Sequence, residues 1–193
     1  MMDIITVQKR NSEEKAKKLR RAGFVPCIIF GGSLQESISI QMEEAVARKL
    51  VRFKREGSKL QLNLDDRTIP VQIKGVEQNT LKNEIVHIGF QALSADQKVN
   101  SVIHIILKNS DIIAGTLERM LHEIPYASLP ADMIDTVTVD LEGMPVGTVL
   151  TVADIPELKS EKIDLQVDTS SIVLRVNDKI RSAKRVAAEE ATE

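Results

Sequence analysis

Apolar and polar residues alternate over several short runs in the first half of this chain. Ile38 and Ile40 are interleaved with Ser37, Ser39 and Gln41, and Leu60, Leu62 and Leu64 with Gln61 and Asn63. Ile69, Val71 and Ile73 repeat the pattern after Asp65-Asp66. A period of two predicts strands with one buried face, and the two flanking runs form a hairpin whose Pro70 marks an edge or a bulge. In IVHIGF (85–90), Val86, Ile88 and Phe90 face one way, and His87, Gly89 and Gln91 the other. Val25 to Phe30 is a continuous apolar run, which predicts a strand buried on both faces that leads into Gly31-Gly32.

Two segments change period. Ser12 is placed to cap a helix that opens on Glu13 and Glu14, continues to about Ala22 and stops at Gly23. Its cations spread over roughly 220° of the circumference at 100° per residue, which leaves Ala16, Leu19 and Ala22 for packing. A second helix is expected from about Glu43 to Glu56, with Val46, Leu50 and Phe53 as its core stripe and Gly57 as its stop. The first half therefore reads as an α+β unit of five or six strands and two helices, with a closed or strongly curved sheet.

LSADQK (93–98) is the expected link to a second part. Beyond it VNSVIHIIL, DTVTVDL, DLQVD and SSIVLRV are strand-like, while TLERMLHEI fits either a helix or a strand. From about Asp178 the chain should fray or form a solvated helix. The expected divisions are 1–93, 94–178 and 179–193.

Composition adds constraints. Phe and Tyr are scarce and Trp is absent, so the cores must be aliphatic. Cys27 is the one cysteine, which excludes an internal disulfide and argues against a cysteine-based zinc site. With no signal-like start and no run of 18 apolar residues, a soluble cytoplasmic protein without membrane contact is expected. The net charge of -2 conceals an asymmetry: residues 1–95 hold 16 of the 26 Lys and Arg but only 11 of the 28 Asp and Glu. The first half could face a polyanion.

Catalytic chemistry finds little support. His87, His104 and His122 lie far apart, and no second His stands at metal-ligand spacing. Asp65 and Asp66 are better explained by a turn than as paired carboxylates. There is no GxSxG elbow, and neither a Walker lysine nor a helix start follows Gly31-Gly32. Cys27, flanked by apolar residues, reads as core. No catalytic residue, metal, cofactor or small-molecule substrate is assigned. The basic helix is more informative. Lys9, Arg10, Lys15, Lys17, Lys18, Arg20 and Arg21 stand against only Glu13 and Glu14, with few carboxylates at i+4. A solvated face and a phosphate-binding face are both compatible with this. RKLVRFKR (48–55) is assigned mainly to structure, because its cations complement the helix dipole.

LRRAG, VPCIIFGG, VQIKGVEQNTLK and IVHIGF occur in that order. Together they resemble the bacterial 5S rRNA-binding protein of the large ribosomal subunit, the L-twenty-five family, in its longer form known as general stress protein CTC. ASLPADM (127–133), VDL (139–141) and VGTVLTVADI (146–155) resemble the extra domain of that form. The resemblance implies a mainly β protein with α elements: an N-terminal six-stranded β-barrel with helices, and a mainly β C-terminal domain. It implies non-catalytic binding of 5S rRNA on the ribosome. Lys17, Lys18 and Arg20 match the family's basic helix, Phe30 its Tyr before the double glycine, His87 the His of HxDF, and Lys82 a basic loop residue. With the other cations of the basic stretch and Gln78 added, the expected RNA-binding set is Lys9, Arg10, Lys15, Lys17, Lys18, Arg20, Arg21, Phe30, Gln78, Lys82 and His87. The second domain would contact neighbouring ribosomal proteins or a different part of the RNA, and its acidity argues for protein. Phe30, Glu77, Thr80 and Gly89 depart from the pattern, so a stress-linked paralogue acting as a protein-interaction module is the alternative.

Overall fold

The computed structural model describes residues 4–11, 13–32, 34–65, 67–113, 115–160 and 162–178. The expected cap Ser12, the turn residue Asp66 and the tail from 179 lie outside the described residues. Chain contacts divide the molecule into two units. One runs through Ser101 and takes in Leu129–Ala131; the other comprises Val102–Ser128 and the chain from Asp132.

The first unit is a closed six-stranded barrel. Its strands are β1 (Ile4–Lys9), β2 (Phe24–Phe30), β3 (Ile38–Glu43), β4 (Lys59–Leu64), β5 (Arg67–Asn79) and β6 (Glu84–Ala92), in the order β1-β3-β2-β6-β5-β4. Parallel pairing of β1 with β4 closes the ring, and a second parallel pair joins β2 to β6. The alternating residues converge on the barrel axis: Ile29, Ile40, Leu62, Val71, Ile73, Ile88 and Phe90 are fully buried. Phe90 is the only fully buried phenylalanine, so the core is aliphatic as composition required.

Two β-bulges shift the expected phases. Ile73 pairs with Phe90 and Gly75 with Gly89, which leaves Lys74 as an extra residue in β5. Glu77 pairs with His87 and Gln78 with Ile85, which leaves Val86 extra in β6. An extra residue reverses the faces that follow it. Ile85 is therefore buried in place of the expected Val86, which is only half-buried. Pro70 sits at neither bulge. It lies in the closed barrel, one residue past the end of the β5–β6 ladder, where its carbonyl accepts from Leu93 N at 2.9 Å.

The helices are shorter than their patterns. α1 spans Ala16–Arg21, because Asn11 Oδ1 accepts from Glu13 N at 3.1 Å and Asn11 O from Glu14 N at 3.2 Å. That turn keeps both glutamates out of the helix, and Lys15 stands at its N-cap. Leu19 is buried, while Ala22, expected to pack, is exposed at the C-cap. Gly23 follows with φ +84°, the left-handed conformation that ends helices. α2 spans Glu44–Phe53. Ala47 and Leu50 are its buried residues, and Phe53, expected in the core, is 69% exposed.

The second unit holds two open sheets. β7 (Val99–Lys108), β9 (Glu123–Ser128), β10 (Thr136–Asp140) and β12 (Asp164–Leu165) form one, in the order β10-β7-β9-β12. β8 (Thr116–Arg119), β11 (Val149–Thr151) and β13 (Ile172–Asn177) form the other, in the order β11-β13-β8. The ambiguous TLERMLHEI resolves into β8 and the start of β9, and β11 is a strand the pattern did not predict. Arg119 redirects the chain between β8 and β9: its guanidinium donates to the carbonyls of Ile105, Leu121 and His122. The core packs Ile103, Ile105, Ile124 and Val137 against Val173, Leu174 and Val176. Tyr126 OH both donates to Ile134 O and accepts from Ile134 N, each at 2.9 Å.

Candidate nucleic-acid interface

α1 exposes charge because it has only one buried anchor. Leu19 holds it to the barrel, and Lys15, Lys17 and Arg21 extend into solvent without an ion partner among the described residues. Lys18 reaches Glu14 at 3.1 Å, an exposed pair worth about 0–1 kcal/mol and weakened by salt. Lys9, at the end of β1, is also exposed. The two remaining arginines have structural contacts. Arg10 is half-buried and its Nη2 donates to Glu14 O at 2.8 Å, which closes the loop before α1. Arg20 turns inward: Nε donates to Glu84 Oε1 at 3.0 Å and Nη1 to Val86 O at 3.4 Å. It clamps the helix to β6.

The turn between β5 and β6 is braced from both helices. Asn79 Oδ1 accepts from Lys82 N at 3.3 Å, and Asn83 adopts φ +49°. Arg48 of α2 donates to Asn83 O at 3.0 Å while pairing with Glu44 at 2.6 Å. Arg20, Arg48, Lys82, Glu44 and Glu84 surround one cavity of about 260 Å³, so three cations converge on two carboxylates. Arg20 and Lys82 were expected at the site. Arg48 was not, and its only signal in the sequence is Glu44 four residues before it.

Beside this cluster, the outer faces of β2, β6 and β5 form a continuous surface. His87 is half-buried opposite the exposed Glu77, and Gln78 is exposed at the end of β5. Phe30 packs over Gly89: a Cβ placed there would lie 3.7 Å from the Phe30 ring. Gly89 in turn pairs with Gly75, which gives a patch of bare backbone. Three departures from the family pattern, at Phe30, Glu77 and Gly89, therefore fall within one patch. Gly31 and Gly32 follow Phe30 with φ +76° and +62°, and a Cβ on Gly32 would stand 2.7 Å from Ala92 O. The double glycine is a tight turn pressed against the end of β6.

Cys27 is poorly placed to act as a nucleophile. Burial pushes the Cys27 thiol up to about 12, partly offset by a backbone hydrogen bond from Ile88, so it stays protonated at neutral pH. Among the described residues, no group of three or more His, Cys, Asp or Glu could hold a metal ion. No helix among them is long and apolar enough to cross a membrane.

Comparison with known proteins covers both halves. The sequence profile of the Ribosomal L25p family matches residues 5–90, and that of the ribosomal protein TL5 C-terminal domain matches residues 98–179. Large ribosomal subunit protein bL25 of Caldanaerobacter subterraneus is 26% identical over 160 residues, covering 81% of this chain and 80% of that protein. The protein of the same name from Chlorobium phaeovibrioides is 25% identical, covering 98% and 94%. The one from Listeria monocytogenes is 23% identical, covering 90% and 86%.

Proposed function

Because the chain belongs to the ribosomal L25p family, in the form that carries a TL5-type C-terminal domain, we propose that it is a non-catalytic protein of the large ribosomal subunit that binds 5S rRNA through α1 and the adjoining barrel surface. The observation that carries the reading is the set of exposed cations on α1, held by the inward-facing Arg20 within one cluster with Lys82. Lysine and arginine on a fixed helix contact phosphate oxygens and set position without reading bases. A-form RNA presents such contacts across a wide, shallow minor groove.

In this reading Lys15, Lys17, Lys18, Arg21, Lys9 and Lys82 take phosphates, and Arg10 and Arg20 hold the elements that present them. Phe30, Gln78 and His87 form the flank that meets ribose or base edges. Residues 1–93 are the RNA-binding part; the acidic second domain meets neighbouring proteins, and the chain resides on the ribosome. Filter binding of the full chain to 5S rRNA over a salt series tests this. Affinity should fall steeply with salt, and Lys17→Glu with Lys18→Glu and Arg21→Glu should lower it at least 100-fold with an unchanged circular-dichroism spectrum. Salt-independent or absent binding refutes the proposal.

One observation favours a second reading, a protein-interaction paralogue with weakened RNA affinity. Phe30, Glu77 and Gly89 place an apolar ring, a carboxylate and bare backbone on the flank where the family pattern has hydrogen-bonding groups. Near-stoichiometric co-sedimentation with large subunits would count against it.

A further inference from the structure

Two features remain unused by this reading: the basic run at the end of α2 and the exposure of Phe53. They share one groove. On its β3 side, β1 is paired only at Gln8 and Lys9, while Ile4 to Val7 stay in register with β4. The barrel therefore opens a seam between β1 and β3, and α2 lies over it with Ala47 and Leu50 buried. Between β1 and α2 runs a groove of about 720 Å³ whose floor is made by Ile5, Val7, Val46 and Leu50. Ile4, 64% exposed, and Phe53, 69% exposed, stand at its walls. The apolar stripe of α2 thus continues past the core and ends in the groove.

The rim is basic. Among the described residues Lys49 and Lys54 line the groove with one carboxylate, that of Glu43, and the Arg52 guanidinium lies 5.7 Å from the Phe53 ring centroid, which steadies the ring. Lys49 and Arg52 have no ion partner among the described residues. An apolar floor this size suits aliphatic or aromatic side chains, whereas RNA phosphates could use only the basic rim and would leave the floor uncovered.

We propose that this groove receives an acidic amphipathic segment of a neighbouring protein, its apolar side chains on the floor and its carboxylates on Lys49 and Arg52. Anchors at i, i+3, i+4 and i+7 of a helix are the mode that fits such a groove. The choice of neighbour rests on the ribosomal reading; the chemistry of the groove does not.

The full chain carrying p-benzoylphenylalanine in place of Phe53 is assembled into large subunits and irradiated. A cross-link to an acidic stretch of another protein is expected. A cross-link to RNA, to a second copy or to the chain's own first residues overturns the proposal, as does none. Lys49→Glu with Phe53→Ser, both at exposed positions, should reduce retention on salt-washed subunits about tenfold while leaving affinity for free 5S rRNA unchanged. If that RNA affinity is itself absent, the ribosomal reading fails and a second arm decides the groove alone. A synthetic helix with Leu at i, i+3, i+4 and i+7 and Glu elsewhere is titrated onto the full chain. It should bind more tightly than its Lys-for-Glu analogue and lose that advantage on the double variant. Equal binding of the two peptides overturns the proposal.

Discussion

The two units solve one problem in different ways. A β-sheet edge exposes unpaired backbone groups that invite another chain. The first unit removes its edges by closing six strands into a ring, except along the Ile4–Val7 stretch of β1 that faces β3. The second leaves four edge strands, β10, β12, β11 and β8, but none is longer than five residues. Charge follows the same division: the closed unit carries the cationic helix, and the open one carries most of the excess acid. A closed ring gives a surface helix a rigid base, and a short edge needs polar and acidic residues to discourage pairing.

The sharpest way to separate the two cores is by deletion. Phe90→Ala should cost about 3–5 kcal/mol in urea unfolding, because it empties the centre of the ring. In the second unit Tyr126→Phe should cost about 1–3 kcal/mol through its hydroxyl alone, since both backbone groups of Ile134 lose their partner.

Next comes pH. The folded pKa of Cys27 is raised from 9.0 to about 12, so its contribution is complete below pH 9 and is lost as pH rises toward 12. Chain stability should fall in that window by about 1.4 kcal/mol per unit from this group. Cys27→Ala should flatten the slope; an unchanged slope would refute the assignment. The second unit has the opposite sign. Backbone and side-chain hydrogen bonds hold Asp140, Asp154 and Asp168 below the ordinary 3.8. Their contribution is present above that value and is lost as pH falls through the folded pKa, a small acid-side effect visible by thermal melts.

The smallest contrast compares two glycines with positive φ. Gly143→Ala, with φ +74° and open space around it, should cost about 1 kcal/mol. Gly32→Ala should cost clearly more, because its Cβ would also meet Ala92 O. Equal losses in chemical denaturation would break the idea that the double glycine is a contact and not merely a bend.

Alternation made the barrel strands legible, since one buried face imposes a period of two whatever the partner strand. Bulges were not legible. Nothing local marks Val86 as the extra residue; the insertion is defined only by the strand opposite, which ends at Asn79. TLERMLHEI was ambiguous because the break between its two strands is held by the half-buried Arg119, which ties Leu121 and His122 to Ile105, a residue outside the segment. At the candidate site the cations of α1 could be read directly. The inward turn of Arg20 could not, because Glu84 lies 64 residues away. Arg48 reaches Asn83 across 35 residues and was assigned to its own helix for the same reason.

The pairing that closes the ring also sets an order of events during synthesis. Ile4 pairs with Gln61, and Cys27 with Ile88, so strands made early wait for partners 57 and 61 residues later. At a translation rate of roughly 5–20 residues per second, that delay is about 3–12 s. Through that interval Ile4 to Val7 lack their β4 partners, and β1 can pair only at Gln8 and Lys9, with β3. Folding should therefore begin from local antiparallel pairs, β2 with β3 and then the β4–β5–β6 meander, with the parallel β1–β4 and β2–β6 closures among the last to form.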